Sequence, residues 1–289
     1  MDDARLRSGC RPAHREGEAA VADQRLDTTR AHPARRYDYW LGGKDNFAAD
    51  RQSGDLVAAQ FPAIRIAVVE NRKFLRRAVT YLAEQGIRQF LDIGTGLPTA
   101  ENVHQVAQHI APESRVVYVD NDPLVLAHAR ALLTSTPEGK TAYLDADLRD
   151  AGAILADPVL HDTLNLTQPV ALMLVSVLHF VTDDTLANEA VSTLLDAVPP
   201  GSYLVLSHAT NDFMPPEAVD GIAAADRATR VDFAFRTREQ IASFPSGLQL
   251  IEPGIVSTAE WRPDPGDQPL PDREDTAGWC LVAHKPPLG

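Results

Sequence analysis

From about residue 63 onward, short apolar runs alternate with longer amphipathic stretches. Residues 63–85 set Ile64, Ala67, Val68, Phe74, Leu75, Ala78, Val79 and Leu82 at near-helical spacing, which predicts an amphipathic helix ending before Gly86. Its charges (Arg65, Glu70, Arg72, Lys73, Arg76, Arg77) read as a solvated face. Phe90-Leu91-Asp92-Ile93 predicts a buried strand, Arg115–Asp120 a second and Thr141–Leu144 a third. The unbroken apolar run Val170–Leu178 predicts a central strand covered on both faces. Ser202–Ser207 predicts a fifth strand, and Leu248–Ile251 with Gly278–Ala283 an edge hairpin. Helical patterns fall between them, at Glu101–Ala107, at 123–133, near Ile154 and Leu155, and from Asp183 to Leu195, with further starts near Pro215 and at Thr237. Strand alternating with helix predicts an α/β fold: a doubly wound, mostly parallel seven-stranded sheet with an antiparallel edge hairpin.

The first 62 residues do not follow this rhythm. Residues 1–30 are rich in Arg, Ala, Asp and Glu without apolar period and read as a mobile tail. Residues 31–62 hold Tyr37, Tyr39 and Trp40, followed by Gly42-Gly43-Lys44-Asp45-Asn46. Turn chemistry beside aromatics fits a helical lid segment, with Tyr37, Gly43 and Lys44 near a ligand, as well as it fits packing of the aromatics on the domain. Residues 63–289 form the main domain. The segment 252–277, dense in Pro and Asp, either covers the active site or meets a second copy of the chain in a homodimer.

Charge narrows the partners. With 27 basic and 40 acidic residues among 289, the net charge is −13, so no nucleic acid is expected as partner. Cys10 and Cys280 make neither a metal spacing nor a disulfide framework, and no metal is expected. No apolar run approaches the roughly 20 residues of a membrane span, and no signal peptide is visible. These features predict a cytoplasmic protein without a membrane partner.

The chemistry centres on Asp92-Ile93-Gly94-Thr95-Gly96-Leu97-Pro98-Thr99, a strand end running into a glycine turn. Such a turn allows close backbone approach to a ligand, and Pro98 suits the first turn of a helix whose N-terminus would then face the site. A dinucleotide fingerprint wants glycine where Thr99 stands, and a phosphate loop wants a Gly-Lys-Ser/Thr that is absent. Asp120 ends the next strand, placed to accept ribose hydroxyls, which suits NAD as well as other ribose cofactors. Asp122-Pro123 serves better as the helix cap.

Asp92 two positions before the first glycine matches the first motif of class I S-adenosylmethionine-dependent methyltransferases. Together with Ala34–Arg51, Phe90–Thr99, Val116–Pro123, Ala146–Asp150 and Val175–Val181, the chain resembles a Rossmann-like class I family of such methyltransferases, formerly catalogued as a domain of unknown function. The resemblance implies the fold and the cofactor S-adenosyl-L-methionine, with S-adenosyl-L-homocysteine as product. It also implies that Asp147, or else Asp145, takes the adenine amino group while the Leu148 amide meets a ring nitrogen. Thr95, Asn121 and Ser176 complete the cofactor candidates. No substrate comes with the resemblance; the expected acceptor is a small molecule.

His179 and His208 each follow a buried strand and are the candidate bases, though either equally serves to cap its strand. His179 also sits in a Val-Leu-His motif similar to one in small-molecule O-methyltransferases, where it positions rather than reacts. Phe213, Met214, Phe233 and Phe235 are candidates to line an acceptor pocket. Two rival functions stand beside the methyltransferase: a noncatalytic cofactor-binding sensor and a nucleotide-dependent oxidoreductase, the latter disfavoured by Thr99 and Asp92.

Overall fold

The apolar runs pair in one sheet, and the order of pairing decides where a ligand can sit. The computed structural model describes residues 26–99, 101–132 and 134–287. Its elements follow the order α1 (Pro33–Trp40), α2 (Ala48–Gln60), α3 (Ile64–Glu84), β1 (Gln89–Ile93), α4 (Val103–Ile110), β2 (Arg115–Asp120), α5 (Pro123–Leu132) and β3 (Lys140–Asp145). Then come α6 (Ala151–Ala156), α7 (Pro158–Thr163), β4 (Ala171–Val175), α8 (Asp184–Asp196), β5 (Tyr203–Ala209) and α9 (Pro216–Thr229). The chain continues through α10 (Arg238–Ile241), β6 (Gln249–Leu250), β7 (Val256–Ser257), α11 (Arg273–Thr276) and β8 (Gly278–His284).

The sheet has 8 strands rather than the expected seven, in the order β3-β2-β1-β4-β5-β8-β6, with β7 also on β8. β1 to β5 are parallel, and β8 runs antiparallel to β5, β6 and β7. The expected hairpin is thus split: β6 and β7 both lie along β8, because the chain between them bends back to it. The strand order reverses between β1 and β4, the position at which an open parallel sheet leaves a crevice outside its carboxyl edge.

Side-chain alternation explains why both faces are covered. Leu91, Ile93, Val117, Val119, Leu172, Leu174, Leu204 and Leu206 join the core under α6, α7 and α8. Their neighbours Phe90, Val116, Tyr118, Ala171, Met173 and Val205 pack under α3 and α4. A third cluster joins Trp40, Val57 and Val68 to Ile222 and Ala225 of α9. The N-terminal aromatics are therefore partly core, as the packing reading has it.

Three local expectations change. The helix after the glycine turn starts only at Val103, capped by Asn102 in a box with Gln105, so Pro98 lies in a loop and no helix end meets the turn. β4 stops at Val175, and Ser176 turns with φ +55° into a short 3-10 turn at Leu178–Phe180. The charged face of α3 is not all solvated: Glu70 and Arg77 are buried. The segment 258–267 covers them, with Arg77 donating to the Trp261 and Thr258 carbonyls at 2.9 and 2.7 Å and Lys73 pairing with Asp267 at 3.2 Å. Most of the expected tail, residues 1–25 with Cys10, lies outside the described residues; Asp27 and Arg30, in its last part, stand in a cavity wall.

Candidate active site

Two cavities open at the carboxyl edge of the parallel strands. The larger holds about 450 Å³, within the ~300–1,000 Å³ of small-molecule sites. Of the predicted residues, Tyr37, Asp92, Gly94, Thr95, Gly96, Asp120, Asn121, Asp147, Leu148 and Ser176 line it. Gly43 and Lys44 do not. Lys44 is exposed, and Gly43 closes on Asp38: a Cβ there would sit 1.9 Å from Asp38 Oδ1. Asp38 also receives the Asp45 amide and the Asn46 side chain, at 3.0 and 2.8 Å. That glycine serves the turn itself.

The glycine turn folds back on β2. Gly94 N and Thr95 N both donate to the Val119 carbonyl, at 2.8 and 3.3 Å, and Gly96 N donates to Asp120 Oδ2 at 2.8 Å. These three turn amides are thus spent on the neighbouring strand end. Gly94 has φ +74°, and a Cβ would meet Val177 Cγ2 at 2.3 Å, so the turn and the chain after β4 touch here. Beside the turn, the carboxylates of Asp92 and Asp120 at the ends of β1 and β2 line the cavity.

Asp120, 7% exposed, also accepts from Asp122 N at 2.9 Å. Burial raises its pKa against those two amide bonds. Asp92, 5% exposed, has no hydrogen bond to its carboxylate among the described residues. Burial, opposed by Arg72 and helped by Asp120, pushes it up to about 7. Asp147 is the reverse case: bonds from Arg149 lead in holding it down at about 2, with Asn121 Nδ2 at 2.8 Å adding. Asp145 does not line the cavity, which favours Asp147 of the two.

The smaller cavity, about 100 Å³, lies beside the larger one. Tyr37, Asn71, Ser176 and Phe180 belong to both walls. The first three sit on one hydrogen-bond chain with Ser207: Asn71 Nδ2 donates to Tyr37 Oη at 2.9 Å, Ser207 Oγ donates to Asn71 Oδ1 at 2.6 Å, and Ser176 N donates to Ser207 Oγ at 3.0 Å. The rest of the wall is mostly apolar, including Trp40, Phe61, Met214, Phe233 and Phe235; Phe213 instead packs on Trp279. Thr258 and Thr276 of the segment 252–277 also reach this wall.

Both predicted histidines line the smaller cavity, in different states. His208 Nε2 faces Arg236 Nη1 at 2.8 Å, and its Nδ1 lies 2.7 Å from the Ala209 carbonyl. Arg236 only donates, so Nε2 accepts and Nδ1 carries the proton, which leaves neither nitrogen for substrate. His179 Nδ1 is buried with no partner among the described residues. Burial first, then the charges nearby, lowers its pKa well below the ordinary histidine value.

Sequence reasoning missed Arg36, Asn71, Arg72 and Asp226, which line these walls. The signal available was a charged pair, Arg35-Arg36, directly before the aromatic residues Tyr37, Tyr39 and Trp40 of one helix. Among the described residues no cluster has the makings of a metal site, and no helix is long and apolar enough to cross a membrane.

Comparison with known proteins now bears on this geometry. A family model described as S-adenosyl methyltransferase matches residues 19–286. The chain belongs to the S-adenosyl methyltransferase family. A DUF574 family protein from Streptomyces avermitilis MA-4680 is 48% identical, over 90% of this chain and 99% of that one, with a TM-score of 0.87. A candidate methyltransferase from Thermobifida fusca YX is 39% identical, over 93% and 100%, with a TM-score of 0.83. An O-methyltransferase family protein from Burkholderia thailandensis, 14% identical over 87% and 64%, has a TM-score of 0.51 and shares the fold. No curated protein matches the chain.

Family membership makes this an S-adenosylmethionine-dependent methyltransferase. The large cavity fits that cofactor on its own terms. The cofactor carries a cationic sulfonium and an ammonium, and Asp92 is a buried carboxylate without a hydrogen-bond donor among the described residues, next to a second carboxylate.

Proposed function

We propose that the chain transfers a methyl group to a small-molecule acceptor lodged in the smaller cavity, with the cofactor in the larger one. The observation that carries this reading is the shared wall at Tyr37, Asn71, Ser176 and Phe180, which brings a polar, acidic cavity against an apolar one. When bound, S-adenosylmethionine supplies an activated methyl: an acceptor lone pair bonds to that carbon while the C–S bond breaks, its electrons staying on sulfur, and the acceptor's proton departs.

The chain's own residues bind, align and exclude water. Asp120, with two amides on its inner side, has lone pairs left for the ribose hydroxyls. Asp92 faces the cationic end, and Asp147 with Leu148 the base. Ser176, fixed by Ser207, sits where the two cavities meet. His179 is the candidate proton acceptor; His208 holds the wall through Arg236. The noncatalytic sensor reading has no observation of its own in its favour.

Calorimetric titration with S-adenosylmethionine, S-adenosylhomocysteine and NAD in parallel tests the reading. The first two are expected to bind and to lose affinity in Asp120→Ala. NAD binding alone would overturn it. Radiolabelled methyl incorporation into pooled small molecules, absent in Asp120→Ala, separates an enzyme from a sensor.

A further inference from the structure

A buried ion pair with unused hydrogen-bonding capacity stands in the wall of the smaller cavity. Arg36 of α1 and Asp226 of α9 both line it, 2% and 4% exposed. They bond to each other through Nη1 and Oδ1, and Arg36 Nη1 also donates to Ser53 Oγ at 3.3 Å. Arg36 Nε and Asp226 Oδ2 have no partner among the described residues. A buried donor and a buried acceptor left open in an apolar site both cost free energy. The two charges compensate each other, so the pair offers one N–H and one oxygen without net charge.

The rest of the wall favours a flat ring. His179 lies 4.3 Å from Phe180 and 4.9 Å from Phe233 between ring centroids, and Phe233 lies 5.0 Å from Phe235. Such a surface packs planar groups by edge and face.

We propose, resting on the reading of this cavity as the acceptor site, that the acceptor is a flat ring bearing an uncharged group that both donates and accepts hydrogen bonds, held by Arg36 and Asp226. A primary amide or a hydroxyl satisfies both open atoms. A carboxylate meets Asp226, and a cationic amine meets Arg36, with like charges buried together.

Benzamide, benzoate and benzamidine share a ring and nearly a shape but are neutral, anionic and cationic. Titrated into the full chain, with and without saturating S-adenosylhomocysteine, benzamide is expected to bind about tenfold or more tightly than either charged probe. Asp226→Asn removes the negative partner and is expected to invert the order, with benzoate above benzamide. A general loss of packing would not switch the preferred charge. Equal affinities, preference for a charged probe, or no binding of any probe at millimolar concentration overturns the proposal. The wild-type series decides alone if the variant does not fold. Failure of S-adenosylhomocysteine to bind strikes the cofactor reading; binding without neutral preference strikes only this inference.

Discussion

Arg35 Nε donates to Asp122 Oδ2 at 2.9 Å, and both side chains are buried. The bond ties α1 to the turn after β2, two positions past Asp120. His32 Nδ1 lies 3.2 Å from the same oxygen. Asp122 Oδ1 meanwhile accepts from Leu124 N at 3.0 Å. One carboxylate thus starts α5 and fastens the N-terminal segment over the large cavity.

Removing one partner of a buried pair strands the other charge, at ~3–5 kcal/mol. Arg35→Met is expected to lose stability on that order in urea unfolding and to weaken S-adenosylhomocysteine binding. Adding Asp122→Asn is expected to recover part of the stability, since the Asp122 charge is then no longer stranded, while the buried Asp50, 3.9 Å from Arg35 Nη1, still lacks its partner. Stability unchanged in the single variant would show that the segment is not fastened through this pair.

Asp92 gives the cofactor site a pH signature. Its folded pKa of about 7 lies above the model-peptide value. The folded state then holds a proton that the unfolded state has lost, so stability falls as pH rises from about 4 to about 7. A cationic ligand favours the ionised form, so binding near pH 7 is expected to release a proton. Calorimetry in buffers of different ionisation enthalpy reads that release, and Asp92→Asn is expected to abolish it.

His208 acts with the opposite sign. Burial leads in pushing it down to about 4, with the Ala209 carbonyl opposing and Arg236 assisting. As pH falls from about 6.5 toward 4, the unfolded histidine charges first and stability is lost. His208→Leu is expected to flatten that acid limb while lowering stability at neutral pH, because Arg236 loses an acceptor. An unchanged acid limb in urea unfolding would contradict this.

Tyr37 and Lys44 separate the two halves of the N-terminal segment. Tyr37 Oη donates to the Val68 carbonyl at 3.1 Å and accepts from Asn71. Tyr37→Phe leaves the Asn71 side-chain amide without its partner, at ~1–3 kcal/mol, and is expected to weaken S-adenosylhomocysteine severalfold. Lys44→Ala is expected to leave affinity within error. Equal losses would return Lys44 to the site.

The parallel sheet and its strand-end carboxylates were legible because their signals are local: an apolar run, a glycine pair, an acid at a fixed offset. Asp120 follows from that pattern, and Asp92 from its match to the first motif of class I methyltransferases. Arg36–Asp226 follows from neither, since its halves lie 190 positions apart and each looks like an ordinary surface charge in its own helix. The same holds for Arg77 on α3, whose carbonyl partners arrive from residues 258 and 261. Gly43 misled for the opposite reason. Ligand-binding turns and self-satisfied turns use the same residues, and only the position of the Asp38 carboxylate tells them apart.

The placement of β8 between β5 and β6 sets a timetable for the nascent chain. A ribosome makes β1 to β5, and every carboxylate of the large cavity, before the strand that closes the sheet beside β5. Until Gly278–His284 emerges, β5 presents an unpaired edge and β6 and β7 have nothing to pair with. The cofactor-binding half can take shape early, whereas the smaller cavity, whose wall includes Ala277 and Gly278, is completed only at that last step.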